Sequence, residues 1–176
     1  MKQNTKKLTT VGILAGVSYV LMMILEFPLP FLPPFLKFDF STVPALLAGF
    51  MFGPISGVLV GLIKSLLHLL GTHTGGVGEL ADFLCTATMV IPSALMYKKS
   101  KTRKSAIIGL CIGIAGLIIV SSLANVFLLL PMYIHISPKE ALPYISSAIL
   151  PFNLAKGIIL SLVTVLLYKK VSNLFR

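Results

Sequence analysis

From Leu8 to Leu25 the chain reads LTTVGILAGVSYVLMMIL, a run without a charged side chain. Runs of this kind recur until they fill most of the sequence. That repetition is the strongest constraint on the fold. A bilayer core of about 30 Å is crossed by about 20 apolar residues in a helix, and within it a segment must satisfy its own backbone groups. Six segments approach or can be fitted to that length: Leu8–Leu25, Ser41–Phe52, Pro54–Leu70, Val77–Tyr97, Ala106–Leu130 and Ala148–Tyr168. With 56% hydrophobic and 11% charged residues, the chain is far more apolar than a soluble domain of its length. The expected fold is all-α, a compact bundle of six transmembrane helices in a single domain over residues 1–176. The second segment is too short to span upright, and Gly53-Pro54 is expected to break it from the third. Lys2, Lys6 and Lys7 precede the first run as in a signal peptide, but the run is long and no A-x-A site follows, so it reads as a retained span.

The cations set an expected orientation. Lys2, Lys6 and Lys7 precede the first helix; Lys98, Lys99, Lys101, Arg103 and Lys104 lie between the fourth and fifth; Lys169, Lys170 and Arg176 follow the sixth. An even number of spans puts all of these on one side, with only Lys37 and Lys139 in loops on the other. The positive-inside rule then places both termini in the cytoplasm of a cell with this chain in its plasma membrane. The net charge of +10 is thus a topology signal, and its scatter over short inner segments argues against a nucleic-acid role. Cys85 and Cys111 both fall inside predicted spans and read as small core residues.

All five acids, Glu26, Asp39, Glu79, Asp82 and Glu140, map to outer loops or outer helix ends. Glu79 and Asp82 open the fourth helix after the glycine-rich turn GTHTGGVG and, three apart, share a face. They can complement the helix dipole, or meet a ligand or a lysine, with Lys64 and Lys156 as candidates. Asn125 lies near the Pro131 end of the fifth helix; Asn153 and Lys156, in PFNLAKG, open the sixth on one face. Polar groups at that depth are costly unless they face the bundle and find a partner. Asn125 reads equally as a ligand contact or as interhelical glue, whereas Asn153 with Lys156 favours a ligand. Lys64 and His68 share a face of the third helix; His68 and His73 with Glu79 match no metal-binding spacing.

The stretch FPLPFLPPFLKFDFST, residues 27–42, joins the first two helices with four prolines in sixteen residues, yet is almost as apolar as the spans. Phe27, Phe31, Phe35, Phe38 and Phe40 supply aromatic faces on a stiff backbone. Such a loop either plugs the bundle or closes over a flat aromatic ligand whose polar tail meets the asparagines, lysine and carboxylates. The chain has no G-x-x-x-x-G-K-[ST], G-x-S-x-G or H-E-x-x-H, shows no convincing internal repeat, and is short for a transporter of two inverted repeats. A binding site without a motor implies a partner that supplies energy. Gly12, Ala15 and Gly16 form a small-residue patch on the first helix, suited to close packing with this chain's own helices or with such a partner.

The runs EFPLPFLPPFLKFDFSTVPALLAGFMFGPISGVLVGLIKSLLHLL, TGGVGELADFL and PFNLAKGIILSLVT resemble the riboflavin-specific S components of energy-coupling factor (ECF) transporters over nearly the whole chain. The resemblance implies a six-helix subunit that binds one vitamin from outside. It also implies partners: a transmembrane coupling protein and two cytoplasmic ATPases. By position, Asn125, Asn153 and Lys156 match the polar contacts to the flavin, with Glu79 and the loop carrying Leu36, Lys37, Phe38 and Asp39 completing the site. The A-x-x-x-A-like docking motif of the family's first helix is matched in spacing by Gly12 and Gly16. On this reading riboflavin is transported cargo, no cofactor or metal is needed, and ATP hydrolysis belongs to the partners. The alternatives are a different ligand (flavin mononucleotide, thiamine or biotin), a membrane enzyme, or an assembly subunit. An enzyme would need a nucleophile–base pair or a metal site, and neither is found.

Overall fold

The computed structural model describes residues 2–30, 32–33, 36–72 and 75–174, without the side chains of 2–3, 138–139 and 172–174. Phe31, Phe35, His73 and Arg176, singled out above, lie outside the described residues. Six helices form: α1 (Lys2–Leu25), α2 (Thr42–Phe52), α3 (Pro54–His68), α4 (Val77–Ser100), α5 (Arg103–Ile134) and α6 (142–174). Four of them, α1, α4, α5 and α6, are long and apolar enough to cross a membrane, while α2 and α3 are shorter apolar helices. The chain is therefore a helical membrane protein, with two of its six helices short of a full span.

Helix α1 buries Val11, Leu14, Ala15, Ser18 and Met22, a stripe at helical spacing that packs on α2 and α3. Its other side leaves Leu8, Ile13, Val17, Val20 and Ile24 exposed, as suits a lipid-facing surface. Helix α2 is apolar all round and buried from Thr42 through Phe50, so it sits inside the bundle. Gly53 makes the expected break with φ of +95°, and Pro54 starts α3 where its missing N–H is not needed. Glycines then set close helix approaches. A Cβ on Gly57 would lie 2.5 Å from the Ala45 carbonyl oxygen, and one on Gly113 would lie 2.7 Å from that of Met89. The Ser93 hydroxyl, in the same α4–α5 seam, donates to the carbonyl oxygens of Met89 (2.7 Å) and Gly109 (3.2 Å).

Two elements depart from the sequence reading. The first is that Pro131 does not end α5. The helix widens to i→i+5 bonding over Asn125–Leu129, where the Leu130 N–H donates to the Asn125 carbonyl, and then continues to Ile134. Helix α6 repeats the device: it starts at Leu142, widens over Ile145–Ile149, and meets Pro151. A proline lacks the N–H and crowds the carbonyl a turn earlier; a wide turn next to it spares the helix the break. The second departure is that the structure is not purely helical. The proline-rich loop folds into a minimal antiparallel pair, β1 (Phe27–Pro28) with β2 (Lys37–Phe38). Its apolar side chains serve packing: Leu36 and Phe38 are buried with Leu130, Ala141, Ala148, Ile149 and Phe152 at the tops of α5 and α6.

At the opposite end Phe50, Tyr97 and Tyr168 stack in a trio, with the Tyr97 hydroxyl 2.9 Å from that of Tyr168. The basic α4–α5 turn is at this end, while Glu26, Asp39, Glu79 and Asp82 gather at the other. Lys101 closes α4 with φ of +49°, and Thr102 caps α5 by accepting from the Ser105 N–H at 3.1 Å.

Candidate ligand-binding cavity

A cavity of about 600 Å³ opens at the end that carries the carboxylates, walled by α1, the loop, α3, α4, α5 and α6. Its floor is apolar, built from Met89, Leu117 and Leu160, with Cys85 and the Thr42–Thr86 hydroxyl pair (3.2 Å) above. Polar groups line the walls. Of the residues expected at a site, Asn125, Asn153, Lys156, Glu79, Asp39, Lys37 and Leu36 all line this cavity. Phe38 is brought close but turned away; its ring lies 5.1 Å from that of Phe40 and 5.8 Å from that of Phe27, within the apolar cluster behind the wall.

Sequence spacing explains the convergence. Asn153 and Lys156, one turn apart on α6, point to the same side, as do Glu79 and Asp82 on α4. The amides are tethered alike. Asn125 Nδ2 donates to the Ser121 carbonyl at 2.7 Å and Asn153 Nδ2 to the Ile149 carbonyl at 2.8 Å, each a turn back along its helix. This fixes both amides and directs their oxygens elsewhere. Asn125 Oδ1 is fully buried and, among the described residues, has no hydrogen-bond partner. A buried acceptor left unmade costs about 1–3 kcal/mol.

The charges are paired across elements. Lys156 Nζ donates to Asp39 Oδ2 at 2.8 Å and to the Lys37 carbonyl at 3.3 Å, tying α6 to the loop. Lys64 is fully buried and pairs with Asp82 at 2.9 Å, so a lysine partner for Asp82 is found. Glu79 instead meets His68 Nδ1 at 2.9 Å, and His68 Nε2 lies 3.6 Å from Glu26, which pairs with Lys37 at 3.3 Å. Burial works to raise the Asp39 carboxyl's pKa. The adjacent Lys156 and Lys64, with hydrogen bonds from Lys156 and Ser41, outweigh it, and the net shift is downward. Asp39 is therefore a carboxylate in the folded protein.

The sequence reading did not name Met22, Thr42, Thr86, Tyr133 or Phe152 as cavity residues. Thr42 was legible in principle, since D-F-S-T before an apolar run signals a helix start beside the loop. For Thr86, Met22 and Phe152, one apolar or weakly polar position among many, no local signal exists. On α1, Gly12 and Gly16 are exposed, and a Cβ added at either would meet no neighbour within 4 Å, whereas Ala15 turns into the chain's own core. Cys111 is exposed on α5, contrary to a core position, and Cys85 borders the cavity.

Comparison with known proteins places this geometry in context. The family described as "ECF transporter, substrate-specific component" matches residues 6–168. The chain is 42% identical to a protein named Riboflavin transporter RibU from Staphylococcus aureus (strain TCH60), over 100% of this chain and 95% of that one. It is 37% identical to Riboflavin transporter FmnP from Bacillus subtilis (strain 168), over 96% of this chain and 93% of that one. Among solved structures, one described as "Structure and mechanism of the S component of a bacterial ECF transporter" superposes with a TM-score of 0.85 at 40% identity, covering 98% of this chain and 99% of that one. ThiT from Listeria monocytogenes, at a TM-score of 0.64 and 20% identity over 99% of both chains, shares the fold.

Proposed function

The chain belongs to the substrate-specific components of ECF transporters, and from that premise we propose that it captures riboflavin from outside the cell and delivers it inward. Both termini then face the cytoplasm of a bacterial cell, with the cavity opening outward, in accord with the cations at one end and the carboxylates at the other. The observation that carries the ligand assignment is the cavity itself. Its volume of about 600 Å³ lies within the range of small-molecule sites, its floor is apolar, and Asn125 Oδ1 is a buried acceptor with no partner among the described residues. A flavin fits that chemistry: a flat ring system for the apolar floor, an imide N–H for an orphan acceptor, and a hydroxylated tail for the asparagine, lysine and carboxylate wall. The names of the two relatives support the same ligand.

The chain's part in transport is binding. Lys156, Asp39 and the Lys37 carbonyl join the loop to α6 over the cavity, so a bound ligand is enclosed by groups already held in place. Energy comes from two ATPases and from a coupling membrane protein that docks on the glycine face of α1 at Gly12 and Gly16. Purified protein in mild detergent should quench the fluorescence of added riboflavin and saturate at one flavin per chain. Protein that is folded yet leaves the fluorescence unchanged would remove riboflavin as the ligand.

A further inference from the structure

One buried group does not touch the cavity and yet holds two of its walls. Lys64, on α3, is fully buried, and its Nζ meets Asp82 on α4 at 2.9 Å and the Ser41 hydroxyl at 2.5 Å. Ser41 stands at the junction of the loop and α2. Its hydroxyl donates in turn to Asp39 Oδ1, which also accepts the Ser41 N–H at 2.8 Å. The Ser41 carbonyl accepts from the Ser18 hydroxyl of α1, and the far oxygen of Asp39 accepts from Lys156 of α6. The Ser65 hydroxyl donates to Asp82 at 3.3 Å. A continuous polar line therefore runs Asp82, Lys64, Ser41, Asp39, Lys156, crossing from α4 to α6 through the loop junction. Its two ends and its middle carboxylate line the cavity; Lys64 and Ser41 stand behind the wall.

The charge count makes Lys64 decisive. The carboxylates lining the cavity are Glu26, Asp39, Glu79 and Asp82, the lysines lining it are Lys37 and Lys156, and His68 lies among them. Counting His68 as neutral, the lining alone carries two more negative than positive charges, and Lys64 reduces that excess to one. A charge close behind a low-dielectric wall acts on a ligand's charge far more strongly than it would in water.

We propose that Lys64 is a positioning residue that clamps Asp82 and the Ser41 junction, and thereby sets how the cavity ranks an uncharged flavin against its phosphate ester. The proposal rests on the flavin reading above. Without Lys64, Asp82 loses its ion partner, and Ser41 loses the donor that orients its hydroxyl toward Asp39. A neutral flavin then meets a looser wall; an anionic one meets, in addition, one more uncompensated negative charge.

The test is a set of fluorescence-quenching titrations with riboflavin and with riboflavin 5′-phosphate on four proteins: wild type, Lys64→Met, Asp82→Asn, and the double variant. The reading is the ratio of the two dissociation constants, phosphate ester over riboflavin. Lys64→Met should raise that ratio on the order of tenfold, Asp82→Asn should lower it by a similar factor, and the double variant should return it to within about threefold of wild type. A merely structural lysine would weaken both ligands alike and leave the ratio flat in every variant, which overturns the proposal. Should Lys64→Met fail to fold, the other two variants decide. An unchanged ratio in Asp82→Asn, or a double variant as skewed as Asp82→Asn alone, refutes it. Wild type that binds neither flavin defeats the flavin reading itself, an outcome recognised before any variant is measured.

Discussion

Replacing Asn125 by leucine separates a ligand contact from interhelical glue, because the two roles move stability and affinity in different directions. Leucine matches asparagine in shape and carries neither amide group. In the ligand-free protein the substitution removes one hydrogen bond, Nδ2 to the Ser121 carbonyl at 2.7 Å, worth about 1 kcal/mol net. That carbonyl is not orphaned, since the Asn125 backbone N–H also donates to it. The substitution also removes Oδ1, whose buried and unmet state costs about 1–3 kcal/mol. The sum is a ligand-free protein between unchanged and about 2 kcal/mol more stable. Flavin binding, by contrast, loses a buried hydrogen bond, about 1–3 kcal/mol, or roughly a 5- to 150-fold rise in Kd. Thermal unfolding of the ligand-free protein in detergent gives the first quantity and quenching titration the second. A variant that melts well below wild type while binding riboflavin normally would refute the reasoning, because the amide would then be holding helices and not cargo.

Other substitutions should behave as follows. Lys156→Ala leaves Asp39 buried without its nearest cation, so it should destabilise the fold by about 3–5 kcal/mol as well as weaken flavin binding; a wild-type melting curve would contradict the pairing at 2.8 Å. Gly57→Ala places a methyl 2.5 Å from the Ala45 carbonyl oxygen and from Val90, and should cost about 1–3 kcal/mol by overpacking the α2–α3–α4 contact, read as a lowered melting temperature. A Cβ at Gly12 or Gly16 meets no neighbour within 4 Å; Gly12→Leu with Gly16→Leu should leave folding and riboflavin binding intact in the isolated chain and abolish uptake in cells. Uptake at wild-type rate would remove that face from the docking surface.

Much of this was legible in the sequence because punctuation and polarity are local signals. Gly53-Pro54 marks the α2–α3 break to the residue, and Asn125, Asn153 and Lys156, polar side chains within apolar runs, line the cavity. What was not legible depends on relations between helices. That Asp82 takes Lys64 while Glu79 takes His68 follows from the height at which α3 meets α4, a quantity no single helix encodes. Pro131 misled for a related reason: a proline signals a break unless the turn before it widens, and widening is settled by packing at the tops of α5 and α6. Phe38 shows the limit for the loop. Its aromatic character is plain from sequence, but alternation along β2 decides which side it faces, and the pairing of Phe27 with Phe38 turns it into the cluster behind the wall.

The wide turns of α5 and α6 carry a consequence for how these helices tolerate length changes. Each holds one residue more than regular coiling would, and so absorbs the rotation of about 100° that an extra residue would otherwise impose on everything beyond it. Deleting a single residue between Val126 and Leu129 would let α5 close into an ordinary helix without shortening its hydrogen-bonded run, and Asn125 would keep its place. Tyr133, which borders the cavity from beyond the turn, would keep its face as well, because only the residue absorbed by the wide turn is lost. The same edit in 145–149 would leave both the lower part of α6 and its approach from Leu142 facing as they do. The two bulges thus act as slack at the rim: a residue can be lost there while the side chains on either side, those overhanging the cavity and those inside it, stay where they are.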